Sequence, residues 1–125
     1  MSANIPEEFV VLKGQILDGM MDYLESGGDD EPDADYSEED VDRCAIILEQ
    51  FLEDVLSPAI YGQSRKIMRV VQGAVMALNE LNAACDHSLI ETNQREQICE
   101  LIISAAANAG LRTDASDVTE EWREW

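Results

Sequence analysis

The chain has 125 residues and carries 27 Asp and Glu against 8 Lys and Arg, a formal charge of −19 at pH 7. A charge of that sign and size repels nucleic acid and anionic membrane, so direct binding to either is not expected, whereas cations and basic protein surfaces are attracted. One domain's worth of sequence, 46% apolar but only 6% aromatic, predicts residues 1–125 as a single helical domain with a core of Leu, Ile, Val, Met and Ala.

The first helix is predicted from Pro6, whose fixed φ suits an opening turn, to about Glu25, with Glu7 and Glu8 at the positive end of the helix dipole. Phe9, Leu12, Ile16, Met20, Tyr23 and Leu24 fall on one arc at 100° per residue, and Leu17 and Met21 widen it. From Ser26 to Tyr36 the composition is two glycines, a proline and five acids with almost nothing to bury, so residues 26–37 read as an acidic, flexible connector. Eleven such residues reach about 35 Å, more than the length of an 18-residue helix at about 27 Å, which leaves room for a crossover connection.

Ser37, followed by Glu38, Glu39 and Asp40, predicts the start of a second helix that runs to about Leu56, where Pro58 disfavours continuation. Val41, Cys44, Ala45, Leu48, Phe51, Leu52, Val55 and Leu56 form its stripe, and Ile46 and Ile47 lie on the flanks. Apolar flanks of this kind meet a second neighbour inside a bundle more often than a subunit partner. After a connector around Tyr61, Gly62 and Gln63, Ser64 reads as the cap of a third helix to about Ala84. Ile67, Val70, Val71, Ala74, Leu78 and Leu81 share its core face, Gly73, Ala77 and Ala84 make an edge of small residues, and Arg65, Lys66 and Arg69 project on the other side.

The fourth helix has two candidate starts, a capping box from Ser88 to Glu91 and a later cap at Thr92, of which Thr92 is preferred. Ile98, Leu101, Ile102, Ala105 and Ala109 form its buried face, and Gly110 ends it. Beyond Leu111 a short helix is predicted from Val118 onward, with Trp122 and Trp125 on one side and docked against the rest. Four amphipathic helices without sustained β-alternation give an all-α, four-helix bundle-like fold.

Nine of the fourteen residues from Asp29 to Asp42 are acidic. As a calcium loop beginning at Asp29 the run fails where geometry is strictest, with Ala34 in place of the required Gly and Asp40 in place of the bidentate Glu. Rigid mimicry of DNA phosphates fits poorly on a Gly/Pro-containing connector. Glu38 to Asp42 are explained by helix initiation. The acids without a structural explanation, Asp29, Asp30, Glu31, Asp33 and Asp35, together with Tyr36, are therefore the candidate partner-binding residues.

No catalytic, cofactor-binding or metal-binding residue is assigned. His87 is the only histidine, two residues from Cys85, a spacing unlike paired metal ligands. There is no phosphate loop and no nucleophile elbow. Cys44, Cys85 and Cys99 are odd in number and sit in apolar helical stretches, the pattern of buried thiols in a reducing compartment. No basic-then-apolar leader pattern opens the chain and no run of about 18 apolar residues occurs, so a cytoplasmic protein without a membrane span is expected.

The segments Leu78-Asn79-Glu80-Leu81-Asn82, Leu89-Ile90-Glu91-Thr92-Asn93-Gln94-Arg95-Glu96 and Asp117-Val118-Thr119-Glu120-Glu121-Trp122-Arg123-Glu124-Trp125 resemble a family of small uncharacterised bacterial proteins, over residues 64–125. The resemblance implies a small bacterial helical protein and carries no activity. The residues themselves lead to a non-enzymatic, acidic module that binds a basic protein, the class of immunity proteins, inhibitors and regulators. The alternative is a small structural or regulatory homodimer whose acidity serves solubility. In one form of it Arg65, Lys66 and Arg69 meet the acidic run of a second subunit, and that association loosens as salt rises.

Overall fold

The computed structural model describes residues 5–27, 36–85, 87, 89–113 and 118–125, with side chains of the first helix described as far as Tyr23. The helices are α1 (Glu7–Gly27), α2 (Glu38–Val55), α3 (Ser64–Ala84) and α4 (Thr92–Asn108), with a 3-10 turn over Pro58–Ile60 between α2 and α3. No strand occurs among the described residues. They pack as an all-α bundle.

Local chemistry accounts for most of the helix ends. The carbonyl of Pro6 accepts from Phe9 N at 3.0 Å and Val10 N at 3.3 Å, which opens α1 one residue after the proline. At α2 the Asp40 carboxylate reaches back to accept from Ser37 N at 3.0 Å and from Ser37 Oγ at 3.3 Å. This is the return half of a capping box, with Asp in place of the usual Glu or Gln. The α4 terminus is a Schellman motif: Gly110 takes the left-handed conformation at φ 91°, Gly110 N donates to Ala107 O, and Leu111 N donates to Ala106 O.

Two predicted caps lie one residue inside the helix instead. Ser64 is the first residue of α3, after Gln63, and Thr92 is the first residue of α4, after Glu91. The Ser64 hydroxyl is engaged in tertiary structure, accepting from Arg112 N at 3.0 Å. The predicted helix from Val118 is also shorter than expected, a single turn in which Trp122 N and Arg123 N both donate to Thr119 O. It stops because the next backbone groups bond to Asn79 of α3 rather than to their own turn.

The direction of each helix follows from who meets whom. Tyr36 Oη donates to Met20 O at 3.1 Å, which sets the start of α2 beside the last turns of α1. The connection is thus local, and the available crossover length is not used. Gly19 of α1 lies 3.0 Å, measured to an ideal Cβ, from the Gln94 side chain near the start of α4. The short α2–α3 link makes those two antiparallel neighbours. Gly62 N donates to Ala109 O at 2.8 Å, bringing the start of α3 to the end of α4. The bundle is therefore up-down-up-down, with α1 packed against α2 and α4, and α3 against α2 and α4.

A single core cluster runs through all four helices. Ile16, Met20, Leu48, Leu52, Ile67, Leu78, Ile98, Leu101 and Ile102 are fully buried. Each such side chain contributes about 1.5–3 kcal/mol relative to exposure. The α2 stripe is buried at Val41, Cys44, Leu48, Phe51, Leu52 and Val55. On α3, Val75, Asn79 and Asn82 join the buried set while Val70 is only half-buried.

Candidate functional site

Of the residues expected to meet a partner, Asp29, Asp30, Glu31, Asp33 and Asp35 lie outside the described residues. Tyr36, the remaining candidate, is buried. It is 5% exposed, stacks on Tyr23 with ring centroids 5.6 Å apart, and bonds to Met20 O. An aromatic ring followed at once by a helix start is drawn inward, because burying the ring while its hydroxyl finds a carbonyl is more favourable than leaving it in water. Burial, and then the neighbouring Tyr23, Glu91 and Cys85, pushes the Tyr36 phenol up from 10.0 to about 12.

Around this buried tyrosine the bundle end is acidic. It gathers the end of α1, the start of α2, the end of α3 and the start of α4, and the side chains of Asp22, Glu38, Glu39, Asp42 and Glu91 are exposed there. Arg43 pairs with Glu39 at 3.4 Å one turn away, both well exposed. Such a surface pair contributes little to stability. The opposite end carries Arg65, Lys66, Arg69 and Arg112, all exposed. Among the described residues no carboxylate comes within ion-pair distance of Arg65, Lys66 or Arg69. The same end also carries exposed Glu7, Glu8 and Asp54, so its cations are set among acids.

The thiols and the histidine occupy different environments. Cys44, Cys85 and Cys99 are all free and buried. Burial, and then Cys85, pushes the Cys44 thiol up from 9.0 to about 12, the reverse of an activated nucleophile. His87 is exposed in a left-handed backbone conformation at φ 62°, and its N–H donates to Asn82 O at 2.7 Å. Cys85 is buried while His87 is exposed. Among the described residues, no group of three or more His, Cys, Asp or Glu is placed to hold a metal ion.

A second surface was present in the sequence only as unconnected pieces. The flank of α2 (Ile46, Ile47) and the small-residue edge of α3 (Gly73, Ala77, Ala84) face one another across a groove. The groove consists of two adjoining hollows of about 420 Å³ each, one toward Asp54 and Arg69 and one toward Arg43 and Glu80. Ile46 is 65% exposed in it, whereas Ile47 is half-buried and packs against the core. An ideal Cβ on Gly73 would meet nothing within 4 Å.

The other side of α3 is closed by the chain itself. Asn79, buried on α3, donates through Nδ2 to Trp122 O at 2.8 Å and to Glu124 Oε2 at 3.3 Å, and accepts through Oδ1 from Glu124 N at 3.0 Å. Arg123 Nη1 donates to Cys99 Sγ of α4 at 2.8 Å, and its guanidinium lies 5.5 Å from the Trp125 ring centroid. Asn82 Oδ1 accepts from Ile90 N at 3.0 Å, fixing the α3–α4 turn. These bonds join Asn79 and Asn82 of α3, Ile90, Cys99 of α4 and residues 122–124 into one assembly. Buried asparagines inside an otherwise apolar stripe were the sequence signal for it, since a buried amide needs partners of its own.

No protein-family model, curated protein or solved structure matches this chain. Among the described residues no helix is long and apolar enough to cross a membrane.

Proposed function

We propose that this protein is a non-enzymatic, cytoplasmic binding module that captures a basic protein through the acidic end of the bundle, as an immunity protein, inhibitor or regulator does. The observation that carries this reading is the convergence of Asp22, Glu38, Glu39, Asp42 and Glu91 as exposed carboxylates at one bundle end, next in sequence to Asp29, Asp30, Glu31, Asp33 and Asp35. Carboxylates grouped at one end of a bundle orient an approaching cationic surface and raise its rate of encounter. Three buried thiols, one pushed up to about 12, support a scaffold rather than a cysteine catalyst and suit a reducing compartment.

The test is capture of partners from bacterial lysate at low and at moderate salt, with wild-type protein and with the Glu38→Lys, Glu39→Lys, Asp42→Lys triple variant. A basic protein retained at low salt, released as salt rises and lost by the triple variant is the expected result. Reproducible recovery of no basic partner overturns the reading.

A further inference from the structure

We infer that the groove between α2 and α3 is the seat of a second copy of this chain, making the protein a homodimer joined through α2 and α3 of each protomer. The inference is independent of the basic partner, which engages the bundle end. It rests on the match of the groove to itself.

The centre of the groove is apolar, with Ile46 65% exposed there. Gly73 and Ala77 beneath Ile46 leave no bulk to hold a partner helix at a distance. Close approach of backbones over small residues is how helices pack ridges into grooves.

Charge selects the occupant. The groove carries two bases and two acids, Arg43 with Glu80 at one end and Arg69 with Asp54 at the other. Among these four the charges cancel, in a chain whose total is −19, and Glu39 beside Arg43 adds one acid at that end. A cationic helix would meet Arg43 and Arg69, and an anionic one would meet Asp54 and Glu80. The fitting partner has one base and one acid at each end, and a copy of the groove turned over by a two-fold axis has that arrangement. With the axis across the helices, Arg43 faces the partner's Asp54 and Arg69 faces the partner's Glu80. With the axis along them, Arg43 faces the partner's Glu80 and Arg69 the partner's Asp54. Both are isologous contacts of a closed dimer.

Salt gives the inference its sign. The two copies repel over a screening distance of about 30 Å at 0.01 M and about 10 Å at 0.1 M, so an apolar, locally neutral interface tightens as salt rises. A dimer held by acidic connector against basic cluster would loosen instead.

Sedimentation of the full chain at about 10 mM and about 150 mM salt, for the wild type and for Ile46→Glu, Arg43→Glu and the Arg43→Glu variant combined with Asp54→Arg or with Glu80→Arg, tests it. The expected result is a wild-type dimer that tightens with salt and is weakened at least about thirtyfold by Ile46→Glu, the scale of an interface hot spot. Arg43→Glu should weaken it several-fold, and one of the two combined variants should restore it, identifying the two-fold axis. Because these side chains are exposed, thermal melts by circular dichroism should remain those of a folded bundle. A wild type that stays monomeric at about 100 μM and at both salts, in the concentration range of a micromolar dimer, overturns the inference. So does a dimer that survives Ile46→Glu, or one that neither combined variant restores.

Discussion

The two long surfaces of α3 were treated differently by the chain. Toward α4, the closing segment from Val118 to Trp125 packs Val118, Trp122 and Trp125 on the core, and Asn79 ties it down with two hydrogen bonds to its backbone and one to the Glu124 carboxylate. Toward α2, nothing from the described chain crosses the outer face, and Ile46, Gly73 and Ala77 line an open groove. The first surface mixes apolar and amide groups, and its amides recruit a specific backbone. The second is apolar at its centre with balanced charges at its ends. Burying an amide requires a partner of matching geometry, which fixes one occupant, whereas an apolar strip only requires cover and leaves the ends to choose it.

The largest effect should come from opening the sealed surface. Deleting residues 118–125 exposes the α3/α4 seam and removes two indoles, at a cost of about 3–5 kcal/mol, the range of large aromatic truncations. Urea denaturation would show it as a lower midpoint, and a rise in binding of a hydrophobic dye would report the seam. Asn79→Ala should cost about 2 kcal/mol, because Trp122 O and Glu124 N lose a buried partner. Its tryptophan emission should shift to the red at the same time. If stability falls with no spectral change, the tail is held by packing and not by Asn79.

The α1/α2 seam provides an intermediate case, since a single hydroxyl marks it. Tyr36→Phe should cost about 1 kcal/mol, the net worth of one hydrogen bond. Its pH dependence has a definite sign. The phenol titrates at about 12 when folded against 10.0 unfolded, so its stabilising effect is complete below pH 10 and is lost as pH rises toward 12. The wild-type melting temperature should therefore fall more steeply across that window than that of Tyr36→Phe. The smallest stability effect belongs to the open groove, where Ile46→Glu should change unfolding free energy by no more than about 0.5 kcal/mol. A large loss there would mean that the groove is closed in the folded protein.

Much of the fold was legible locally. The α2 stripe, the Ser37 start, the α3 span from Ser64 to Ala84 and the Gly110 stop all follow from 100° periodicity and from backbone groups that must be satisfied at helix ends. The misplaced features share one cause. The Ser64 hydroxyl turned to Arg112 N, Tyr36 turned to Met20 O, and the tail after Thr119 turned to Asn79, each a polar group that found a partner distant in sequence. Periodicity carries no information about such partners. The same holds for the candidate surfaces, because an acidic run is visible in one dimension but a groove needs two helices side by side.

The sequence by itself thus determined that the chain folds as packed amphipathic helices with a branched aliphatic core and an acidic character, since helix period, caps and net charge are properties of neighbours along the chain. Only the tertiary structure decided how far the flank beside the α2 stripe is covered. Ile46 and Ile47 are alike in chemistry and adjacent in sequence, yet Ile47 is half-buried and Ile46 is 65% exposed. The difference arises because burial depends on what packs opposite a helix face, and that is set by the arrangement of all four helices and the closing tail.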